Sequence, residues 1–134
     1  MDEERILSKI DSMDQYLKEI EDDMPSNLNE YQDNKRKYER LLNLSIEAVI
    51  DVCSLILKNE GLGAPNDEES ILDKLADNKI INQDIAKNVK DMKAFRNVLV
   101  HRYGEVDDRK VYEKLEKLED FKEFRKRVIE YLEK

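Results

Sequence analysis

Tryptophan is absent from this chain, and cysteine and histidine occur once each, as Cys53 and His101. One cysteine excludes an internal disulfide, and with one histidine it falls short of the four ligands of a structural zinc site. A lone thiol fits a reducing compartment. Three glycines and two prolines are few for a fold of many tight turns, whereas charged residues form 42% of the chain and hydrophobic ones 40%. That balance favours long amphipathic helices over sheets. Long hydrophobic runs are also missing: none approaches the ~20 residues needed to cross a bilayer. The chain opens Met1-Asp2-Glu3-Glu4, where a secretion signal would place basic and then apolar residues. A cytoplasmic protein without membrane contact is expected, folded as a single domain over residues 1–134.

Net positive charge is the other shortage. The formal charge of −8 argues against broad nucleic-acid binding, and DNA is not an expected partner, because affinity for phosphate backbones comes from clustered Lys and Arg. The charge is unevenly spread. Residues 1–33 hold eleven acids and three bases, so the whole excess lies in the N-terminal arm. Between Lys90 and Lys110 the sign reverses, with six bases (Lys90, Lys93, Arg96, Arg102, Arg109, Lys110) against four acids.

Apolar spacing sets out the helices. Ile6, Ile10, Met13, Leu17, Ile20 and Met24 recur at steps of three and four, the stripe of a first amphipathic helix that Pro25 and Ser26 end. A second helix is expected from Asn27 or Asn29 to Asn59, with Gly61 as its C-terminal cap and Pro65 beyond. From Leu41 to Leu57 apolar residues cover most of its circumference, so this segment is either the central core helix or part of a subunit interface. Glu47 and Asp51 lie one turn apart there, facing either solvent or the active site; solvent is the plainer reading. A short third helix follows an Asn66 or Asp67 cap and buries Ile71, Leu72 and Leu75. The fourth starts after Asn82 and carries Ile85, Val89, Met92, Phe95 and Leu99 to a stop at Gly104. A fifth, capped by Asp107 or Asp108, presents Val111, Leu115, Leu118, Phe121, Phe124, Val128 and Leu132. The expected fold is all-α, an antiparallel bundle of about five helices.

Most candidate chemistry reduces to structure. Gly61-Leu62-Gly63-Ala64-Pro65 lacks the Gly-Lys-Ser/Thr ending of a phosphate loop and reads as a cap and turn. Cys53, in the most apolar helix, reads as a small hydrophobe. Met13, Met24 and Met92 fall on core stripes, and Tyr16, Tyr31, Tyr38, Tyr112 and Tyr131 read as packing. What remains is Phe95-Arg96-Asn97-Val98-Leu99-Val100-His101-Arg102-Tyr103-Gly104, where polar groups gather as the amphipathic pattern ends. Arg96 and Tyr103, seven apart, share one stripe of a helix, while His101 would point well away from Arg96. A site joining Arg96 to His101 therefore needs a break in the helix or a second copy of the chain.

Arg, four residues, His, one residue, Tyr resembles the signature of the HepT-like HEPN domains, a prokaryotic toxin family encoded beside a small nucleotidyltransferase antitoxin. The similarity extends through Tyr38-Glu39-Arg40-Leu41-Leu42, Ile46-Glu47-Ala48-Val49-Ile50-Asp51 and Glu60-Gly61-Leu62-Gly63, covering roughly Tyr38 to Leu118 without departure at the motif positions. The resemblance implies a homodimeric, metal-independent endoribonuclease with no cofactor. Arg96 and His101 of both subunits would be catalytic, with Asn97 and Arg102 supporting them or binding RNA. It implies further that Tyr103 accepts AMP from the cognate minimal nucleotidyltransferase antitoxin, neutralising the toxin. The competing class is a non-catalytic dimeric module that the partner only binds or modifies.

Overall fold

The computed structural model describes residues 3–63, 67–100 and 107–133. Among them lie seven helices: α1 (Glu3–Asp22), α2 (Leu28–Asp33), α3 (Lys35–Asn59), α4 (Glu68–Asp77), α5 (Gln83–Val100), α6 (Asp108–Leu115) and α7 (Glu119–Leu132). The all-α expectation holds. α3 runs through the middle, packed by α1, α4, α5 and α6. Its apolar circumference is consumed inside one chain, since Leu41, Leu42, Ile46, Val49, Val52, Cys53, Ile56 and Leu57 are all buried. Of the two readings of Leu41 to Leu57, the central core helix is the one the packing supports.

Two expected helices are each broken in two. The second parts at Asn34, whose backbone (φ −133°, ψ 30°) leaves the helical region while its N–H still donates to the Tyr31 carbonyl. An unbroken helix would place Tyr31 and Tyr38 about 10 Å apart along its axis. Here their rings stack at 5.7 Å, and Tyr112 of α6 completes the group 6.3 Å from Tyr31. The fifth parts at a tight turn where the N–H groups of Glu116 and Lys117 donate to the carbonyls three residues back. Leu115, Leu118 and Phe121 are buried through that turn, so the apolar spacing continues across the break and hides it. Met24 also departs from expectation: α1 stops at Asp22, and Met24, two residues past the last turn, is 38% exposed.

Cap chemistry sets most of the remaining ends. The side chains of Asn27, Asp67, Asn82 and Asp107 accept from the N–H of Glu30, Ser70, Ile85 and Arg109. α3 closes on Gly61 (φ 66°), with the Leu62 N–H donating to the Leu57 carbonyl and the Gly61 N–H to that of Lys58, the two hydrogen bonds of a Schellman motif. This explains the glycine turn without a phosphate. The acidic arm is answered largely by bases on other helices: Arg125 of α7 binds Asp14 at 2.9 Å, Lys122 reaches Glu21 at 3.5 Å, and Lys37 binds Asp23 at 2.6 Å. Among the described residues no helix is long and apolar enough to cross a membrane.

Candidate functional site

α5 carries the motif and changes character along its length. Ile85, Ala86, Val89 and Met92 are buried against the bundle, but from Phe95 onward the described side chains are only part-buried or exposed. The cause is in the sequence, which sets Arg96 on the apolar face between Phe95 and Leu99, both still packed on the core but only partly buried. Ala94, Asn97 and Val98 point outward, and Val98 is 46% exposed. Lys114 of α6 lies 5.7 Å over the Phe95 ring and joins α6 to this end of α5.

Of Arg96, His101 and Tyr103, only Arg96 lies among the described residues. Its side chain is 19% exposed, and a single terminal nitrogen, Nη2, donates to both carboxylate oxygens of Glu68 at 3.1 Å each. Glu68 begins α4, where the positive end of the helix favours its charge. The sequence showed Glu68 only as an acid in a first turn; 28 residues from Arg96, it gave no signal of this contact. Lys93, one turn before Arg96, lines a cavity of about 10 Å³ with Glu68 and Cys53, too small for any substrate. Burial pushes the Cys53 thiol up to about 12, which removes it as a nucleophile at neutral pH.

Asn97 is exposed one residue beyond Arg96, on the outward side of α5. His101, Arg102, Tyr103 and the Gly104 stop lie outside the described residues, as do Pro65 and the alternative cap Asn66. Glu47 and Asp51 face solvent, Asp51 pairing with Lys9 of α1 at 3.2 Å and Glu47 accepting from Asn43 at 3.4 Å. Within the single chain this is the solvent-facing arrangement of the two readings.

A central helix wrapped by shorter ones, with an arginine offered where α5 emerges from the core, defines a helical bundle of the type found in HEPN toxins. The tri-AMPylated Shewanella oneidensis HEPN toxin, solved in complex with its MNT antitoxin, superposes with a TM-score of 0.83 at 27% identity, over 92% of this chain and 95% of that one. YutE, a cytosolic Bacillus subtilis protein of unknown function, gives a TM-score of 0.84 at 22% identity, a likeness of fold alone. In sequence, the Shewanella oneidensis mRNA nuclease HepT is 32% identical over 122 residues, 89% of this chain and 92% of its own length. An Archaeoglobus fulgidus relative is 31% identical across 100% of this chain and 98% of its own. The family model of HepT-like ribonucleases matches residues 6–128, and the chain belongs to that family.

Proposed function

We propose that this chain is the toxin of a toxin–antitoxin pair, an endoribonuclease whose site is assembled from Arg96 and His101 of two copies. The observation that carries the reading is Arg96 itself, a mostly covered cation at the point where α5 leaves the core, with Nε and Nη1 making no hydrogen bond to any described residue. Those donors can take a phosphate oxygen and stabilise the charge that builds on it in the transition state. RNA supplies the nucleophile. A neutral His101 removes the proton of the 2′-hydroxyl, the 2′-oxygen attacks the adjacent phosphorus, and the 5′-oxygen leaves with a proton from a second, charged imidazole. One histidine with an ordinary pKa near 6.5 can hold either state near neutral pH but not both at once, so a two-fold dimer supplies the pair.

Because Leu41 to Leu57 is spent inside the chain, the contact between copies falls to other surfaces. The exposed side of α5, with Ala94, Asn97 and Val98, offers one such surface. Asn97 and Arg102 then contact RNA or steady the histidine. Light scattering at micromolar concentration should give twice the monomer mass, and a clean monomer removes the composite site.

His101→Ala and Arg96→Ala should each slow RNA cleavage by about 10²- to 10⁴-fold with helicity and dimer mass unchanged, and EDTA should have no effect. Cleavage that persists in His101→Ala, or that stops on chelation, would falsify the mechanism. Regulation is assigned to Tyr103, whose phenol accepts AMP from a partner nucleotidyltransferase and so brings anionic phosphate to a cationic site. With that enzyme, ATP and magnesium, peptide mass spectrometry should find AMP on Tyr103. Tyr103→Phe keeps the ring and deletes the acceptor, so it should stay toxic beside the antitoxin. AMP found on Tyr112 instead overturns this assignment.

A further inference from the structure

Arg96 is held from outside its own helix. Glu68 stands at the first turn of α4, fixed there by the Asp67 cap on the Ser70 N–H at 2.6 Å. Its two oxygens converge on one nitrogen of the guanidinium, at 3.1 Å each, and leave Nε and Nη1 without a described partner. A carboxylate that merely neutralised an arginine would commonly take two of its nitrogens in a fork. This one grips a single nitrogen, which anchors that end of the group while keeping donors for a second anion.

We infer that Glu68 is a positioning residue for the phosphate-binding Arg96. The inference rests on the catalytic reading of Arg96 above. Arginine is long and loses much rotamer freedom when it binds, so a group that orders it before RNA arrives keeps its donors aimed at the phosphate during the reaction. Helix attachment alone does not account for the contact. α4 is already tied to α5 by Lys90 on Asp73 at 2.7 Å, and it buries Ile71, Leu72 and Leu75. What Glu68 supplies is reach: an oxygen at the right distance from Nη2.

Reach and charge separate in two conservative variants. Glu68→Gln keeps the length and one acceptor oxygen but loses the charge; Glu68→Asp keeps the charge but retracts it by one methylene. Positioning predicts that Glu68→Gln cleaves RNA with kcat within about threefold of the parent, whereas Glu68→Asp loses about 10- to 100-fold in kcat with KM little changed. Asp73→Ala, which breaks the Lys90–Asp73 ion pair between the same helices, should leave kcat unchanged while lowering thermal stability about as much as the Glu68 variants do. If Glu68→Asp retains full kcat while Arg96→Ala is inactive, the inference falls and the catalytic reading stands. Equal losses in Glu68→Asp and Asp73→Ala, or a Gln variant as impaired as the Asp variant, overturn it as well. Cleavage surviving Arg96→Ala overturns the catalytic reading and the inference with it.

Discussion

α1 and α5 both pack on α3, yet they finish differently. α1 keeps its stripe to the end: Ile6, Ile10, Met13, Leu17 and Ile20 are all buried, and its charges stay on the outer face. α5 begins in the same way, but near its end Arg96 takes a place where the pattern calls for an apolar residue, between Phe95 and Leu99, which pack on the core only partly buried. Burying a further leucine or isoleucine there would contribute about 1.5–3 kcal/mol. The chain forgoes that contribution at the end of α5 and nowhere along α1. The difference separates a helix given over to packing from one whose end keeps a partly covered cation, a group suited to binding an anion that does little for stability.

The largest effect should come from the packing helix. Ile10→Ala removes a side chain that is 1% exposed and should destabilise the fold by about 2–5 kcal/mol, read from urea unfolding. Val98→Ala, at the emergent end of α5, should cost less than about 0.5 kcal/mol in the same measurement. Cleavage should show the opposite ranking, with the folded fraction of Ile10→Ala fully active and Arg96→Ala inactive. An Ile10→Ala protein that folds normally but cuts slowly would break the division between the two helices.

A smaller effect is expected at the turn that launches α5. α4 ends in a Schellman motif like that of α3, with the Ile80 N–H on the Leu75 carbonyl at 2.9 Å, but Lys79 occupies the left-handed position at φ 60° where α3 has Gly61. A side chain there costs about 1–2 kcal/mol, offset in part by the extra freedom glycine has when unfolded. Lys79→Gly should therefore raise stability by about 0.5–1 kcal/mol. Arg127 of α7 donates from Nε to the Ile80 carbonyl at 2.7 Å, which holds the turn in place in either protein. A loss of stability would mean that the Lys79 side chain contributes a contact worth more than the strain it causes.

How far the sequence could be read follows from the same local chemistry. The caps at Asp67, Asn82 and Asp107 and the stop at Gly61 were legible because each is a short-range signal, a side chain or a glycine beside the backbone it serves. The end of α4 was not, because a lysine stands where the pattern looks for glycine. The breaks at Asn34 and after Leu115 were hidden for a related reason: no proline or glycine marks them, and at the second the apolar spacing continues through the turn. The Met24 side chain fits the α1 stripe by count, but the helix ends before it. At the candidate site, Arg96 could be singled out from its spacing to His101 and Tyr103 where polar groups gather at the end of the amphipathic pattern. Glu68 could not, since only the folding of α4 against α5 brings it to the arginine.

The smallest effects are expected at the rim between α1 and α3, where Glu47 and Asp51 sit as like charges one turn apart. The Lys9–Asp51 pair is separated by 3.2 Å, but its side chains are 45% and 52% exposed, so water and salt screen most of the attraction. Asp51→Ala should change stability by less than about 0.5 kcal/mol, since losing that pair is partly offset by relieving the repulsion from Glu47. Glu47→Ala should be closer to neutral, because its partner Asn43 is uncharged and 3.4 Å away. Neither change should alter RNA cleavage by more than about twofold, for both carboxylates face solvent on a helix whose apolar faces are occupied by the core. Cleavage rates measured for the two variants beside Arg96→Ala decide the matter. A loss of about tenfold or more in either would place this side of α3 at the site, by direct contact with RNA or across a second copy, and α5 would no longer be the only helix of the two that departs from packing.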